Sequence, residues 1–239
     1  INMGVIKTKG LILSQYNLND NDRMVTLLTP NLGKIGCAAI GSRKGKSPLM
    51  AGTQFLCFGD FMVYKGISSY RINSCEPIEI FYNIRLDIDK LNYAVRVTKI
   101  INDVTGENDN SYRVLQLALN TLYVIANVEI DLDFVMSIFK FRLLSIIGFK
   151  PDLKHVCSVC NKNISKCFSI MNDCLKCADC ASFDKSAIQV TESTIKSLYY
   201  IINCDPKKLY SFKVSDESKA EINLISKLYF NRCMEKEYE

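Results

Sequence analysis

The chain has 239 residues, of which 48% are hydrophobic and 23% are charged, with a formal net charge of +5 and 11 cysteines. This composition indicates an ordered protein of two domains, or two with a small insert, and excludes a largely disordered chain. No apolar run is long enough to cross a bilayer, and residues 1–9 lack the apolar core of a signal peptide. We therefore expect a cytoplasmic protein without a membrane partner.

Most of the positive charge lies in the first third of the chain. Residues 1–80 contain nine Lys or Arg against five Asp or Glu, a net charge of +4. Residues 81–150 contain eight of each, and residues 151–239 contain thirteen against twelve. A basic excess confined to one segment gives a first indication of a polyanionic partner there.

Short apolar runs separated by clusters of Asn, Asp, Gly and Pro fill the first 80 residues. Because such clusters supply turn conformations, the pattern predicts about five strands. Several short antiparallel strands must cover their edges, which favours a small closed or sandwich-like β-domain over residues 1–80. The predicted strands are 4–16, 23–29, 35–41, 53–65 and 68–80.

Apolar residues recur at three- and four-residue steps from about Asn83, which predicts helices. Gly106 and Gly148 are placed to end two of them, and Asp131 or Asp133 lies near the positive end of another. These helices predict an α+β protein whose residues 81–239 form a helical domain, interrupted by a cysteine-rich insert at residues 152–185. The predicted helices are 83–104, 111–126, 131–148, 191–203 and 215–235.

The stretch "GSRKGKS", Gly41–Ser47, resembles a phosphate-binding nucleotide loop at first sight. It is one residue short of that motif, Ile40 stands where the first glycine belongs, and a predicted strand follows instead of a helix. Two interpretations remain. The cations Arg43, Lys44 and Lys46 lie on a mobile loop that contacts nucleic-acid phosphates, or they lie on a solvated turn.

Six of the cysteines lie between Cys157 and Cys180 in overlapping Cys-x-x-Cys pairs. Two such pairs supply four thiolates, the shell that structural Zn²⁺ prefers, and a closed shell leaves no position for a catalytic water. Sixteen residues separate Cys157 and Cys160 from Cys177 and Cys180, the usual spacing of a zinc ribbon, whereas choosing Cys174 would give only thirteen. The sequence therefore predicts one structural zinc held by Cys157, Cys160, Cys177 and Cys180.

Other roles for these cysteines are a redox pair or plain structural thiols. The strand-helix-strand context of a redox motif is missing. Cys167 and Cys174 are then spare thiols, and His155, the one histidine, is expected to be solvated or packed instead of a ligand.

Four segments together resemble one family, the bacterial recombination mediator RecO: "GLILSQYNLNDNDRMVTLLTPNLGKI", "AAIGSRKGKSPLMAGTQFLCFGDFMVY", "FRLLSIIGFKPDLKHVCSVC" and "FSIMNDCLKCADC". The last two segments are the most specific, because a helix end, a proline and two Cys-x-x-Cys pairs follow one another in that order. The chain departs from the family at Thr53 and Gln54. It also has Asp173 and Cys174 where the family has two glycines, which supports Cys177 and Cys180 as ligands.

The resemblance implies an N-terminal OB-fold barrel, a C-terminal helical domain and an inserted zinc-binding element with four cysteines. It implies a mediator that binds single- and double-stranded DNA, anneals complementary strands and assists recombinase loading onto coated single-stranded DNA. The implied partners are RecR, in some members RecF, and the C-terminal tail of single-strand-binding protein. The implied location is the cytoplasm, at the nucleoid, and no catalytic residue is implied.

The predicted DNA contacts are all cationic. Arg43 and Lys44 match the family's basic loop, whereas the others rest on charge and position: Lys46, Lys34, Arg23 and Arg71. Aromatic residues of the β-domain are expected to fill its core more often than to stack on bases: Phe55, Phe58, Phe61, Tyr64 and Tyr70.

Two alternatives come from other classes. The first is a zinc-containing scaffold that bridges partner proteins. Lys140 and Arg142 are its candidate contacts with an acidic tail, but we expect both to be solvated charges on the helix surface. The second is a nucleic-acid hydrolase, which needs converging acids. Asp20 and Asp22 form the tight acidic pair of the β-domain but are interpreted as turn residues, so we expect no enzymatic activity.

Overall fold

The computed structural model describes residues 4–67, 69–162 and 166–238. The chain divides into two compact units, Ile1–Val128 and Glu129–Glu239. Among these described residues, the first unit contains five strands and three helices, and the second contains three short strands, four helices and one 3₁₀ turn. In the described part of the chain, no helix combines the length and apolar character needed to cross a membrane.

Five strands of the first unit form a closed barrel in the order β1-β2-β3-β5-β4. All neighbouring pairs are antiparallel except β3 and β5, which run parallel. The strand prediction is confirmed in number, and four of the five strands lie within two residues of their predicted bounds. The strands are β1 Val5–Asn17, β2 Arg23–Thr29, β3 Gly33–Ala39, β4 Phe58–Lys65 and β5 Tyr70–Glu79.

The fourth strand was predicted to begin at residue 53, but residues 53–57 form turns. Leu56 is fully buried with a left-handed φ of 65°, so this apolar side chain enters the interior from a turn. Its N–H donates to the carbonyl of Ile12 at 3.1 Å. The aromatic and apolar composition of residues 53–57 therefore indicates that side chains are buried there, but it does not indicate an extended backbone.

Burial alternates along the strands because one side chain in two points into the barrel. The barrel core includes Ile12, Val25, Ile35, Phe61 and Ile72, each at most 2% exposed. A register shift between Ile12 and Ser14 bends β1, as closure of so small a barrel requires. On the outside of the barrel, Gly36 and Arg71 are exposed, whereas Leu11 and Leu28 are buried there too.

Three helices complete the first unit: α1 Tyr82–Arg85, α2 Ile88–Val104 and α3 Tyr112–Asn127. The single helix predicted over 83–104 is divided because the Asp87 carboxylate caps α2 by accepting from the N–H groups of Asp89 and Lys90. Helix α2 packs against β1, and α3 packs against β2. The last barrel strand ends at Glu79, and the compact unit that contains the barrel extends to Val128.

The second unit is built on α4 Leu132–Ile146, α6 Glu192–Asn203 and α7 Asp216–Met234. Each matches a predicted helix within about two residues, and side chains cap all three N-termini: Asp131, Thr191 and Ser215. The insert folds as a sheet of order β7-β6-β8 with a short helix, α5 Ala178–Ala181. Its strands are β6 Cys167–Ser169, β7 Cys174–Lys176 and β8 Ala187–Gln189.

Candidate metal centre and basic barrel edge

The four cysteines predicted as metal ligands come together in the insert of the second unit. Their Sγ atoms all lie within 4.8 Å of one another, and the group could hold a metal ion. Cys157 and Cys177 are buried, whereas Cys160 is exposed and Cys180 is half-buried. One face of the cluster therefore reaches the solvent.

Backbone hydrogen bonds position the sulfurs of the first Cys-x-x-Cys pair, Cys157 and Cys160. The N–H of Cys157 donates to the carbonyl of Lys162 at 2.9 Å, and the N–H of Asn161 donates to the carbonyl of Cys157 at 2.9 Å. Asn161 has a left-handed φ of 58°, which asparagine tolerates better than most residues. These bonds fold the first Cys-x-x-Cys pair into a tight turn that directs both sulfurs to one side.

The second pair lies where β7 passes into α5. Cys177 is the residue before the helix, and its carbonyl accepts from the N–H of Ala181 at 2.9 Å. Asp173, in a position where the resemblance expects glycine, has a left-handed φ of 58°. The turn at this position requires a left-handed backbone conformation, which explains why the resemblance expects a glycine there.

Electrostatics of the cluster favour a bound cation. Burial alone would raise the pKa of the Cys157 thiol, but the backbone N–H groups of Cys177, Cys160 and Val159 outweigh it and lower that pKa to about 6. The neighbouring sulfurs, Cys177 first, raise the pKa of Cys180 to about 12. Because sulfurs this close repel one another as thiolates, only a cation lets all four ionise together.

The remaining residues of the insert lie outside the cluster. Cys174 is buried and accepts from the Ser158 hydroxyl at 2.9 Å, and burial raises the pKa of Cys167. His155 is exposed. Both spare cysteines and the histidine lie outside the group of four sulfurs.

Four of the six predicted DNA contacts meet at one end of the barrel, where β2 and β5 begin and β3 ends. We call Arg23, Arg43, Lys44 and Arg71 the basic edge. Arg23 pairs with Ala39 across β2 and β3, and Arg71 pairs with Ala38 across β3 and β5. Beyond its hydrogen bonds, the Asp22 carboxylate has its pKa lowered by the nearby charges of Lys44 and Arg71.

Arg43 is held by the turn between β1 and β2. Its guanidinium donates to the carbonyl of Asn19 at 2.6 Å, and its N–H donates to the carbonyl of Asn21 at 3.0 Å. The Asp22 carboxylate accepts from the N–H of Gly41 at 2.6 Å, and this bond is the main cause of its lowered pKa. The acidic turn therefore fixes the basic loop, and Asp22 is a structural acceptor.

The two interpretations of Gly41–Ser47 were a mobile loop and a solvated turn, and the structure shows residues 40–57 as consecutive turns closed by backbone hydrogen bonds. Leu49 lies in the barrel core and Thr53 is fully buried, which anchors the loop at two points. Arg23 reaches toward it, with Nη1 3.4 Å from the Met50 carbonyl. Lys44 and Lys46 remain exposed on this fixed loop.

Lys34 lies away from the basic edge, at the opposite end of β3. Its Nζ donates to the carbonyl of Asn102 in α2 at 2.6 Å. Its N–H donates to the carbonyl of Gly106 at 2.9 Å. Lys34 therefore contributes to the contact between the barrel and α2.

The barrel aromatics divide between interior and surface. Phe61 and Tyr70 are at most 4% exposed, whereas Phe55, Phe58 and Tyr64 are half-buried. An additional tyrosine, Tyr16, is 61% exposed at the end of β1. The sequence prediction did not include it, because alternation alone does not distinguish an exposed strand aromatic from a core one.

Lys140 and Arg142 were expected to be solvated on α4, and this is wrong, because they are only 5% and 6% exposed. The Arg142 guanidinium donates to the carbonyls of Ile201, Ile202 and Cys204 at the end of α6. The Lys140 ammonium donates to the carbonyl of Tyr238 at 3.3 Å. Both cations therefore belong to the interior of the second unit.

Comparisons with known proteins cover nearly the whole chain. The family model "Recombination protein O N terminal" matches residues 3–81, and "Recombination protein O C terminal" matches residues 85–238. The DNA repair protein RecO of Acetivibrio thermocellus is 37% identical over 238 residues, which cover 99% of this chain and 94% of that protein. That of Alkaliphilus metalliredigens is 33% identical over 227 residues, with 94% and 92% coverage.

The chain therefore belongs to the RecO family. Membership gives it a role in DNA repair and recombination.

Proposed function

We propose that the protein is a recombination mediator that binds single- and double-stranded DNA and anneals complementary strands. It then assists recombinase loading onto single-stranded DNA coated by single-strand-binding protein. Its proposed partners are RecR, the C-terminal tail of single-strand-binding protein and RecF. In this proposal it works in the cytoplasm at the nucleoid and contains no catalytic residue.

The basic edge carries this proposal. Four cations lie together there beside the Asp22 carboxylate, which already accepts from the Gly41 N–H. Cations grouped on a fixed surface bind the phosphates of a nucleic acid independently of its sequence.

The barrel itself supports the same function. A closed five-stranded barrel with the order β1-β2-β3-β5-β4 is the arrangement of an OB-fold, a common single-strand-binding scaffold. Annealing needs no bond-breaking step. Cations that screen the repulsion between two phosphate backbones let base pairing proceed.

Lys44 and Lys46 are the best positions for a test, because both are exposed while Arg43 and Arg23 also hold the loop. We expect Lys44→Ala with Lys46→Ala to weaken DNA binding and to flatten the dependence of log affinity on log salt by roughly one to two units. Annealing of oligonucleotides coated with cognate single-strand-binding protein should slow in parallel.

The matched control is Lys7→Ala with Lys99→Ala, which removes the same charge from exposed positions on β1 and α2. It should leave the salt slope at the wild-type value. Equal slopes for both double variants would remove the loop from the interface. A wild-type protein that neither binds nor anneals DNA would refute the proposed function.

For the cysteine cluster we propose one structural Zn²⁺ per chain. A tetrahedral shell with metal–sulfur distances of about 2.3 Å places sulfurs roughly 3.8 Å apart. The Sγ atoms of Cys160 and Cys177 are 3.7 Å apart. When bound, the ion joins the two turns of the insert, and four protein ligands leave no position for a reacting water.

A further inference from the structure

The four sulfurs of the cysteine cluster lie on two separate segments of the insert. We call residues 152–160, which contain the first Cys-x-x-Cys pair, the first arm, and residues 174–180, which contain the second pair, the second arm. The two arms are joined part-way along, where the N–H of Ser158 donates to the carbonyl of Leu175 at 3.0 Å. The two pairs can converge on one ion only while the arms keep this register.

One residue, Asp173, holds the start of both arms. It directly precedes the second arm, and its carbonyl accepts from the N–H of Asp152, the first residue of the first arm, at 2.7 Å. Asp152 also forms a parallel bridge with Cys174. The N–H of Asp173 donates to the carbonyl of Ser169 at 3.1 Å, which closes the turn between β6 and β7. The position of Asp173 therefore sets the position of both arms.

The helix α7 holds this turn through a single side chain, Arg232. Its guanidinium donates to the carbonyl of Ile170 at 2.9 Å and to the carbonyl of Met171 at 3.0 Å. The same group forms an ion pair with the Asp173 carboxylate. A planar guanidinium with several N–H groups can contact three acceptors in one fixed geometry, which an ammonium cannot do.

A second residue of α7, Tyr229, contacts the chain on both sides of the insert. Its ring meets that of Phe168 in β6 edge-on, with centroids 5.6 Å apart, and both side chains are fully buried. Its hydroxyl donates to the carbonyl of Phe149, three residues before the first arm, at 3.3 Å. Tyr229 and Arg232 are three residues apart and so share one face of the helix. This face is a common support for both arms.

The identity of residue 173 indicates that the contact with Arg232 depends on the carboxylate. Asp173 has a φ of 58°, a left-handed conformation that glycine adopts more readily. The resemblance expects a glycine there, so the aspartate needs a reason other than the backbone. The ion pair with Arg232 supplies that reason, because glycine has no group to form it.

We propose that Arg232 is a positioning residue for the metal centre and that, through Asp173, it fixes the register of the two arms before zinc binds. This inference rests on the proposed zinc site. Arms that are already in register lose less conformational freedom when the ion binds, so the affinity for zinc is higher. Because coupling between two contacts is reciprocal, bound zinc also stabilises the contact between the insert and the C-terminal end of α7.

The first test measures zinc affinity by competition with a chelator of known affinity. We expect Arg232→Gln to lower that affinity about tenfold or more, the lower range for residues that support metal ligands from behind. Arg232→Lys should restore only part of it, because an ammonium replaces the ion pair but not the planar contacts. The increase in unfolding temperature that zinc gives to chelator-treated protein should shrink in the same order.

The matched control is Arg142→Met, which removes a buried arginine of the same unit whose bonds go to α6 and not to the insert. It should lower the unfolding temperature of zinc-bound and zinc-free protein alike and leave the zinc affinity at the wild-type value. A residue with a merely structural role would behave in this way. An Arg232→Gln variant that did so would overturn the inference.

Asp173→Gly tests the same contact without endangering the fold, because glycine suits the left-handed backbone there. The zinc-free variant should remain as stable as the wild type, while its zinc affinity falls. Asp173→Gly combined with Arg232→Gln should lower the affinity by less than the product of the two single effects, because both act through one contact. Wild-type affinity in both single variants would also overturn the inference.

Hydrogen exchange tests the reciprocal effect on α7. Removal of zinc from the wild type should speed amide exchange at residues 229–234 more than in the first half of the helix. In Arg232→Gln these amides should exchange fast with or without zinc. Equal exchange along α7 before and after chelation would contradict the coupling. A wild type that binds no zinc would instead refute the proposed metal, whatever the behaviour of the Arg232 variants.

Discussion

At the scale of single residues, Arg142 shows how a buried cation can act as a hydrogen-bond donor inside a protein. Helix α4 is buried on nearly all faces, so Arg142 has no route to the solvent. Its guanidinium instead satisfies carbonyls of the last turn of α6, which no N–H of that helix reaches. A cation at a helix C-terminus also complements the helix dipole.

We therefore expect Arg142→Met to lower the free energy of unfolding by about 2 kcal/mol or more, because buried carbonyls lose their donor. Urea unfolding measures the change. Lys227→Met, on the exposed face of α7, is the control and should change stability little. If both variants unfold at the same urea concentration, the Arg142 contacts contribute nothing net.

Sequence reasoning placed Lys140 and Arg142 wrongly. They lie in a helix that has apolar residues on every side, a pattern typical of a buried helix. That pattern was available in the sequence and outweighs the usual expectation that charges are solvated. The bond from Lys34 to α2 joins residues 68 positions apart, and no local signal predicts it.

At the scale of elements, the helices were predictable because their signals are local. Asp131, Thr191 and Ser215 accept from N–H groups one turn ahead, and the apolar period continues from each. The strands β6, β7 and β8 have three residues each, too few for a period to emerge. Cysteine spacing alone located that insert.

The insert is also where a metal would contribute most, because its strands have only three residues each and the four cysteines join its two ends. We expect wild-type protein purified without chelator to contain about one zinc per chain, and Cys177→Ser to lose the metal and unfold at lower temperature. Elemental analysis and thermal melts measure both. Chelation of the wild type should reproduce the loss of stability.

Cys174→Ser is the matched control, since Cys174 lies in the same insert but outside the cluster of four sulfurs. It should retain full zinc content. A metal-free wild type, or equal zinc in the two serine variants, would show that the ligand set is misassigned.

At the scale of the whole molecule, the chain combines a barrel unit that exposes the cations Lys44 and Arg71 with a second unit that buries the cations Lys140 and Arg142. The excess of Lys and Arg in the barrel segment was predictable, because it is counted directly from the sequence. It could not indicate which cations meet, since Arg23, Arg43 and Arg71 come from separate strands and a loop. Closure of the barrel brings them together.

The second unit also sets the expected acid sensitivity of the molecule. The Asp184 carboxylate, whose side chain is 12% exposed, accepts from the Lys176 ammonium at 2.8 Å and from the Ser186 hydroxyl at 2.7 Å. The Lys176 bond first, then those from Ser169 and Ser186, hold the pKa of Asp184 well below its usual range. Burial opposes this shift but does not cancel it.

A carboxyl group whose folded-state pKa is depressed stabilises the fold fully above its unfolded pKa of about 3.9, and this stabilisation is lost as pH falls toward the folded value. We therefore expect wild-type stability to decrease below about pH 4. Asp184→Asn should be less stable at neutral pH, by about 3 kcal/mol for a broken buried pair, and should lose less on acidification.

Urea unfolding at pH 7 and pH 3, on chelator-treated protein so that metal release does not contribute, measures the difference. Glu237→Gln, at an exposed position, should follow the wild-type pH dependence. If the stability gap between wild type and Asp184→Asn is the same at both pH values, Asp184 carries no proton-linked stability. A narrower gap at pH 3 assigns that part of the acid sensitivity to this one buried carboxylate.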